Sequence, residues 1–291
     1  MTKKKPIRTI GIISRPRRVD IAAVVPKLVE WLKARECEVF YDDETATCIK
    51  ADDHQRHRQE LAGASDLLIV LGGDGTLLAA ARAAAERKVP ILPVNLGGLG
   101  FLTSVTREEL YPLLETVLEG QHHVSERVML LAEVFREGKR IETQRVLNDA
   151  VLNKGGVSRM IDLDLHIDGD FVSKYKADGL IVSTPTGSTA YSLSAGGPIV
   201  HPDVSAFVIT PICPHTLSDR PLVVPDTAVI EIECLPDGGA AHLTLDGQTG
   251  FDLRPSDRVR VTKAPETIFL VRAPRKTYYE VLRNKLGWGE R

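Results

Sequence analysis

Apolar and polar positions alternate along this chain with two different periods, and the change falls near residue 126. Before it, strand and helix signals take turns. Thr9 to Ser14 is an apolar strand. From Val19 to Arg35 apolar residues (Ala22, Val25, Leu28, Val29, Leu32) recur at helical spacing. Glu38 to Tyr41 and the buried run Leu67 to Leu71 read as strands. Leu77 to Arg87 reads as an alanine-rich helix, and Pro90 to Val94 as a further strand. Thr106 to Glu119 opens with Thr-Arg-Glu-Glu, a capping-box pattern, and closes at Gly120. Strands that alternate with helices predict a parallel sheet covered on both faces.

After residue 126 the period is two. Val128 to Phe135 and Arg140 to Leu152 predict a hairpin around Glu137-Gly138-Lys139. Ile161 to Ile167 alternates strictly and ends in Asp168-Gly169, a tight-turn signal. Val229 to Cys234, His242 to Leu245, Arg258 to Thr262 and Thr267 to Val271 continue the pattern, with turns at Pro236-Asp237-Gly238-Gly239 and Asp246-Gly247. The tail Tyr278 to Arg291 begins as a helix. The fold class is therefore an α/β N-terminal domain with a parallel, Rossmann-like sheet, joined to a mostly β, sandwich-like C-terminal domain. The expected limits are 1–126, joined by the tail 273–291, for the first domain, and 127–272 for the second.

Composition narrows the function. Among 291 residues, 37 basic and 39 acidic side chains leave a formal charge of −2, so electrostatics gives no argument for nucleic acid. No run has the length of a membrane-spanning helix, and no apolar stretch follows Met-Thr-Lys-Lys-Lys-Pro as in a signal peptide. Cys37, Cys48, Cys213 and Cys234 lack CxxC spacing and read as reduced thiols of a cytoplasmic protein. No metal site is expected from His54 and His57 or from His122-His123.

The candidate chemistry lies in three places. The strand Leu67 to Leu71 stops at Gly72-Gly73, then Asp74, Gly75 and Thr76. Glycines remove side-chain bulk and a helix start offers N–H groups, so Gly72, Gly73, Gly75 and Thr76 suit a phosphate. Thr76 stands where it can cap the helix from Leu77. Asp74 repels phosphate and so reads either as a chemical group or, more plainly, as a helix-start carboxylate. The second place is Asn148-Asp149, two poor strand formers inside a strand pattern, which mark either polar contacts or a bulge. The third is Lys176 to Pro198, with seven Ser and Thr side chains between Ser183 and Ser194. Hydroxyls and glycine N–H groups of this kind suit ribose, phosphate or amide groups; the plainer reading is a polar loop with a cap at Ser188. The glycine turn has neither the Walker lysine nor the Gly-x-Gly-x-x-Gly fingerprint.

In that order, Gly72-Gly73-Asp74-Gly75-Thr76, Asn95-Leu96-Gly97-Gly98-Leu99-Gly100-Phe101-Leu102, Asn148-Asp149, Asp178-Gly179 through Gly197 and Leu245-Asp246-Gly247-Gln248 resemble the bacterial NAD kinases. The first motif is shared with diacylglycerol kinases and phosphofructokinases; the hydroxyl-rich one is far more specific. Asp149 stands where many members carry Glu. The resemblance implies transfer of the terminal phosphate of ATP to the 2′-hydroxyl of the adenosine ribose of NAD, giving NADP, in a crevice between the two domains. It implies that Asp74 is the proton acceptor and that Gly75 lies against the dinucleotide. Asn148, Asp149, Lys176, Asp178, Thr186, Thr189, Ala190, Tyr191, Ser192, Leu193 and Ser194, with Arg159 and Gln248, are carried over as NAD contacts. A divalent cation, Mg²⁺ brought by ATP, NADP(H) as product or inhibitor, and a homo-oligomer (dimer or tetramer) are implied as well. The rival readings are a lipid or sugar kinase with the same turn, and a nucleotide sensor without activity.

Overall fold

The computed structural model describes residues 7–15, 19–50, 54–98, 100–155, 160–235, 240–273 and 276–289. The chain divides into two compact units, 1–126 with 268–291, and 127–267.

In the first unit β1 (Thr9–Ser14), α1 (Val19–Lys33), β2 (Glu38–Tyr41), α2 (Asp43–Ile49), α3 (Arg58–Ala64), β3 (Leu67–Leu71), α4 (Asp74–Ala84), β4 (Pro90–Val94) and α5 (Leu110–Leu118) follow one another. The strands pair in parallel in the order β2-β1-β3-β4. Every residue of β3 is buried, as a central strand covered on both faces requires. Ile10, Ile12, Leu67, Ile69 and Leu92 share one core with Val25, Leu28 and Leu32 of α1 and Leu110, Leu114 and Val117 of α5. Phe269 and Leu270 add a fifth parallel strand beside β4. The last helix, α7 (Tyr278–Leu286), starts at a complete capping box between Thr277 and Glu280 and buries Val281 and Leu282. Before it, Lys276 Nζ donates to Glu109 Oε2 at 2.7 Å and to the Ser104 carbonyl at 2.9 Å.

Two expectations in this unit are corrected. The helix after β3 begins at Asp74, three residues before Leu77, because the Gly73 carbonyl already accepts Thr76 N–H (3.0 Å) and Leu77 N–H (3.3 Å). Thr76 therefore lies inside the first turn and does not cap it. The helix α5 begins at Leu110; Glu109 does reach back to Thr106 N–H (2.8 Å), but 107–109 form a tight turn ahead of it.

The second unit is built on β5 (Val124–Arg136), β6 (Lys139–Val146), β7 (Asp149–Lys154), β8 (Ile161–Ile167), β9 (Asp170–Ala177), β10 (Gly179–Ser183), the short helix α6 (Tyr191–Ser194), β11 (Ala206–Ile212), β12 (Leu222–Pro225), β13 (Ile230–Cys234), β14 (Ala241–Leu245), β15 (Thr249–Leu253) and the first part of β16 (Arg258–Val271). One antiparallel sheet runs β12-β11-β10-β7-β14-β15. The other joins β16, β13, β8 and β9, with β5 and β6 at its side. Inward residues of both sheets meet in one core, among them Leu152, Leu180, Phe207 and Leu243 from the first and Leu163, Ile232, Val259 and Val134 from the second.

Here too the pattern is revised. Arg140 to Leu152 is two strands, not one, broken at Leu147-Asn148. Arg258 to Thr262 and Thr267 to Val271 are one strand. Pro265 lies beyond the pairing with β13, which ends at Val261. The turn expected at 236–239 lies outside the described residues. Phe207, fully buried at the middle of the second unit's core, gives a direct test. Phe207→Ala is expected to lower the free energy of unfolding by about 3–5 kcal/mol in chemical denaturation.

Candidate functional site

In the first unit the two glycine-rich motifs meet. Asp74 is the first residue of α4, and its carboxylate turns away from the helix's own amides toward the loop after β4. Oδ1 accepts from Thr103 N–H (3.0 Å), Thr103 Oγ1 (2.9 Å) and Leu102 N–H (3.3 Å); Oδ2 accepts from Phe101 N–H (3.0 Å). The loop is shaped for this by Asn95, whose Nδ2 donates to Thr103 Oγ1 (2.8 Å) and the Gly98 carbonyl (2.7 Å), and whose Oδ1 accepts Gly97 N–H (2.7 Å). A Cβ at Gly100 would come within 2.2 Å of Asp74 Oδ1, so the approach needs glycine. Oδ1 is saturated, whereas Oδ2 has one donor among the described residues and lone-pair capacity left. The plainer reading of Asp74, a carboxylate that satisfies its own helix start, is replaced by one that pins a neighbouring loop.

Beside this turn a pocket of about 420 Å³ is lined by Gly73, Gly75, Thr76, Ala79, Arg15, Arg58 and Glu44. A Cβ at Gly73 would meet nothing within 4 Å, and its φ of −100° suits any residue. Packing within the chain does not demand glycine there. Arg58 is held by Asp42 and Glu44, both at 2.8 Å. Arg58 spends its charge on these two carboxylates, so this end of the pocket offers an anion the Arg15 guanidinium, the N–H groups left on Arg58 and the N-terminal end of an eleven-residue helix.

In the second unit the decisive group is Asp246, in the turn after β14. Its Oδ1 accepts Asn148 N–H at 2.7 Å and its Oδ2 accepts Leu147 N–H at 3.1 Å, and this capture breaks the predicted long strand. Its own N–H donates to the Asp149 carbonyl at 2.9 Å. Asn148, Asp149, Val151, Asn153, Ala190, Tyr191, Thr244, Asp246 and Gly247 line a pocket of about 310 Å³. Asn148 Oδ1 is buried there without a partner among the described residues. Asp149 is 5% exposed. Burial, then the charge of Asp246, pushes its carboxyl from an ordinary 3.8 up to about 7, against a lowering hydrogen bond from Tyr191 N–H. A buried carboxyl and an orphaned amide oxygen give this pocket acceptors that can take the donors of a polar ligand.

Of the residues expected to contact a ligand, Asn148, Asp149, Ala190 and Tyr191 share this pocket, and Tyr191 is 43% exposed. Much of the hydroxyl-rich segment serves the fold instead. Thr184 Oγ1 donates to the Leu147 carbonyl (2.6 Å) and accepts Gly187 N–H (3.0 Å). Ser188 Oγ donates to the Pro185 carbonyl (2.7 Å) and accepts Val200 N–H (3.0 Å). Ser192 is fully buried, and its hydroxyl is bonded to that of Thr210 at 2.9 Å. A Cβ at Gly187 would fall 2.1 Å from the Asn148 carbonyl, which is how closely the segment lies on the Asn148 bend.

Thr186 is buried, and its Oγ1 lies 3.4 Å from Arg127 Nη1. Thr189 donates to the Thr186 carbonyl (3.3 Å). Leu193 and the exposed Ser194 complete α6. Asp178 pairs with Lys154 at 2.7 Å, Lys176 is exposed on β9, and Gln248 is exposed in the turn after Asp246. Arg159 lies outside the described residues. Sequence reasoning missed Arg15, Arg58, Asn153 and Thr244, and missed what Asp246 does.

The two halves of the chain match two family models, the ATP-NAD kinase N-terminal domain over residues 10–122 and the ATP-NAD kinase C-terminal domain over 147–273. The chain belongs to the ATP-NAD kinase family. Its relatives include a NAD kinase of Solibacter usitatus, 50% identical over 98% of this chain and 99% of that one. A NAD kinase of Geotalea daltonii is 49% identical over 99% of this chain and 100% of that one. Among solved structures, yeast NADH kinase complexed with NADH aligns with a TM-score of 0.90 and 29% identity over 99% of this chain and 90% of that one. An NAD kinase from Archaeoglobus fulgidus in complex with ATP aligns with a TM-score of 0.76 and 25% identity over 96% and 97%.

The raised carboxyl makes this kinase-family pocket a source of pH-dependent stability. The folded chain keeps the Asp149 proton up to about pH 7, whereas the unfolded chain loses it near 3.8. The native state thus binds more protons between those limits, and stability falls as pH rises through them. Asp149→Asn removes the titration. Its stability relative to the parent is expected to rise from pH 4 to pH 8, by at most about 4 kcal/mol. Urea midpoints across that range check this; a constant difference refutes it.

Proposed function

We propose that this chain transfers the terminal phosphate of ATP to the 2′-hydroxyl of the adenosine ribose of NAD, giving NADP and ADP. Membership of the ATP-NAD kinase family supports the reaction, and decides against the lipid-kinase, sugar-kinase and sensor readings. The observation that carries the mechanism is the fixed Asp74 carboxylate at the glycine turn.

A ribose hydroxyl is a poor nucleophile at neutral pH. Asp74 Oδ2, with capacity left for one more donor, accepts its proton as the new O–P bond forms and the bond from the transferred phosphorus to the ADP oxygen breaks. The loop amides 101–103 keep the carboxylate from rotating. Gly72, Gly73, Gly75 and Thr76, with Arg15 and Arg58, receive the donor phosphates. Asn148 and Asp149 hold the dinucleotide by its hydroxyl and amide donors, with Ala190 and Tyr191 as the wall beside them. Lys176, Asp178, Thr186, Thr189, Leu193, Ser194 and Gln248 are assigned to the dinucleotide on the family motif.

A divalent cation, Mg²⁺ bound to ATP, supplies charge neutralisation at the transferred group. Among the described residues no group of three or more His, Cys, Asp or Glu side chains could hold a metal ion. The homo-oligomer, the cytoplasmic location and inhibition by NADP(H) are read from the family resemblance. No helix of the described residues is long and apolar enough to cross a membrane.

Asp74→Asn is expected to lower kcat by about 10²–10⁴-fold, measured as NADP formed from NAD, ATP and Mg²⁺. The substitution keeps an oxygen for the Thr103 and Leu102 donors but sets an amide against Phe101 N–H, so a melting curve accompanies the assay. A folded variant with near-normal kcat removes the base assignment. Asp149→Ala is expected to raise KM for NAD with a smaller change in kcat. An unchanged KM ends its binding role.

A further inference from the structure

At the far end of β15 from the Asp246 turn, about 17 Å of strand away, the second unit has another cavity. Its volume is about 460 Å³, and Arg136, Arg254, Arg258 and Arg260 all line it. Arginines gathered in one cavity are normally neutralised by carboxylates, so the pairing decides whether positive charge is left over. Asp257, 1% exposed, is taken by Arg136 in a two-point pair, Nε to Oδ1 at 2.9 Å and Nη2 to Oδ2 at 2.7 Å. Arg258 faces Glu231 at 3.7 Å and Glu233 at 3.5 Å.

The side chains of Arg254 and Arg260 make no hydrogen bond or ion pair within the described residues. Arg260 Nε is moreover buried with its N–H unsatisfied. Glu137, in the exposed hairpin turn, is the lining carboxylate that remains. Guanidinium groups that no carboxylate takes up leave N–H donors for an anion that enters the cavity.

We propose that this cavity is an anion site that takes a small molecule with adjacent phosphate groups, held between the forks of Arg254 and Arg260. Guanidinium geometry favours phosphate oxygens, which accept two parallel N–H groups at once. Asp257 holds the wall: it accepts Arg254 N–H at 2.8 Å, its own N–H donates to the Arg254 carbonyl at 3.0 Å, and the strand β16 starts directly after it. The site shares no residue with the pocket at Asn148 and Asp149 or with that at the glycine turn, and it does not depend on the reaction assigned to them.

The test is isothermal titration of the full chain with inorganic pyrophosphate at low salt, on the parent and on Arg254→Met/Arg260→Met. One binding event is expected to weaken by at least about tenfold in the double variant, as the loss of charged hydrogen bonds implies. The kcat and both KM values for NADP formation stay unchanged. Its melting temperature is expected to be no lower than the parent's, since Met leaves no orphaned N–H. Identical isotherms overturn the proposal, and so does complete loss of pyrophosphate binding on Arg15→Met alone, which assigns all of it to the glycine turn. If the double variant fails to fold, Arg254→Met, at an exposed position, must by itself weaken the same event; an unchanged isotherm there overturns the proposal equally.

Discussion

A single carboxylate that accepts two or more backbone N–H groups holds the bend at each candidate site. Asp74 gathers the amides of Phe101, Leu102 and Thr103. Asp246 gathers those of Leu147 and Asn148. Both bends lie where regular pairing stops, so these amides have no strand partner and would otherwise need water. Charge-assisted bonds are the strong ones among hydrogen bonds, and several on one carboxylate fix its rotation as well as its place. The arrangement is reciprocal: the loop is shaped by the acid, and the acid is aimed by the loop.

The same device has an electrostatic consequence. Fixing Asp246 beside the Asn148 bend places its charge near Asp149, which burial already disfavours as an anion. Two carboxylates with different tasks thereby acquire different environments. One accepts a backbone N–H on each oxygen and holds a bend; the other is buried, half-protonated near neutral pH and lines a pocket with an unpartnered amide oxygen. Burial of Asp149 costs stability, offset in part by its hydrogen bond from Tyr191 N–H, while the Asn148 amide oxygen beside it stays without a partner among the described residues.

The hydroxyl-rich segment divides its labour in a similar way. Thr184, Ser188 and Ser192 have small side chains that satisfy nearby backbone groups or, at Ser192, the Thr210 hydroxyl, so a tightly curved stretch can be buried without orphaned groups. What this folding work leaves facing the pocket is Ala190 and Tyr191. A run of Ser and Thr in sequence is thus evidence for a buried, closely packed loop as much as for a ligand. Ser188 lies inside the turn 187–189 and does not cap it; its hydroxyl bonds the Pro185 carbonyl and Val200 N–H.

The sequence by itself determined the class of both units, the strands β1, β2, β3, β4 and β8 to the residue, and the positions of Asp74, Asn148 and Asp149 as chemical candidates. Those features are local: periodicity, glycine turns and misplaced polar residues are written within a few positions of one another. Only the tertiary structure decided that Thr76 does not cap α4 and that the strand breaks at Leu147-Asn148. It alone showed that Asp74 pins the 101–103 loop and that Arg15 and Arg58 stand at the glycine turn. The amide acceptor that breaks the strand lies 98 and 99 residues further along the chain. No pattern in a short window records such a partner, because a hydrogen bond depends on where the folded backbone brings its two ends and not on their spacing in sequence.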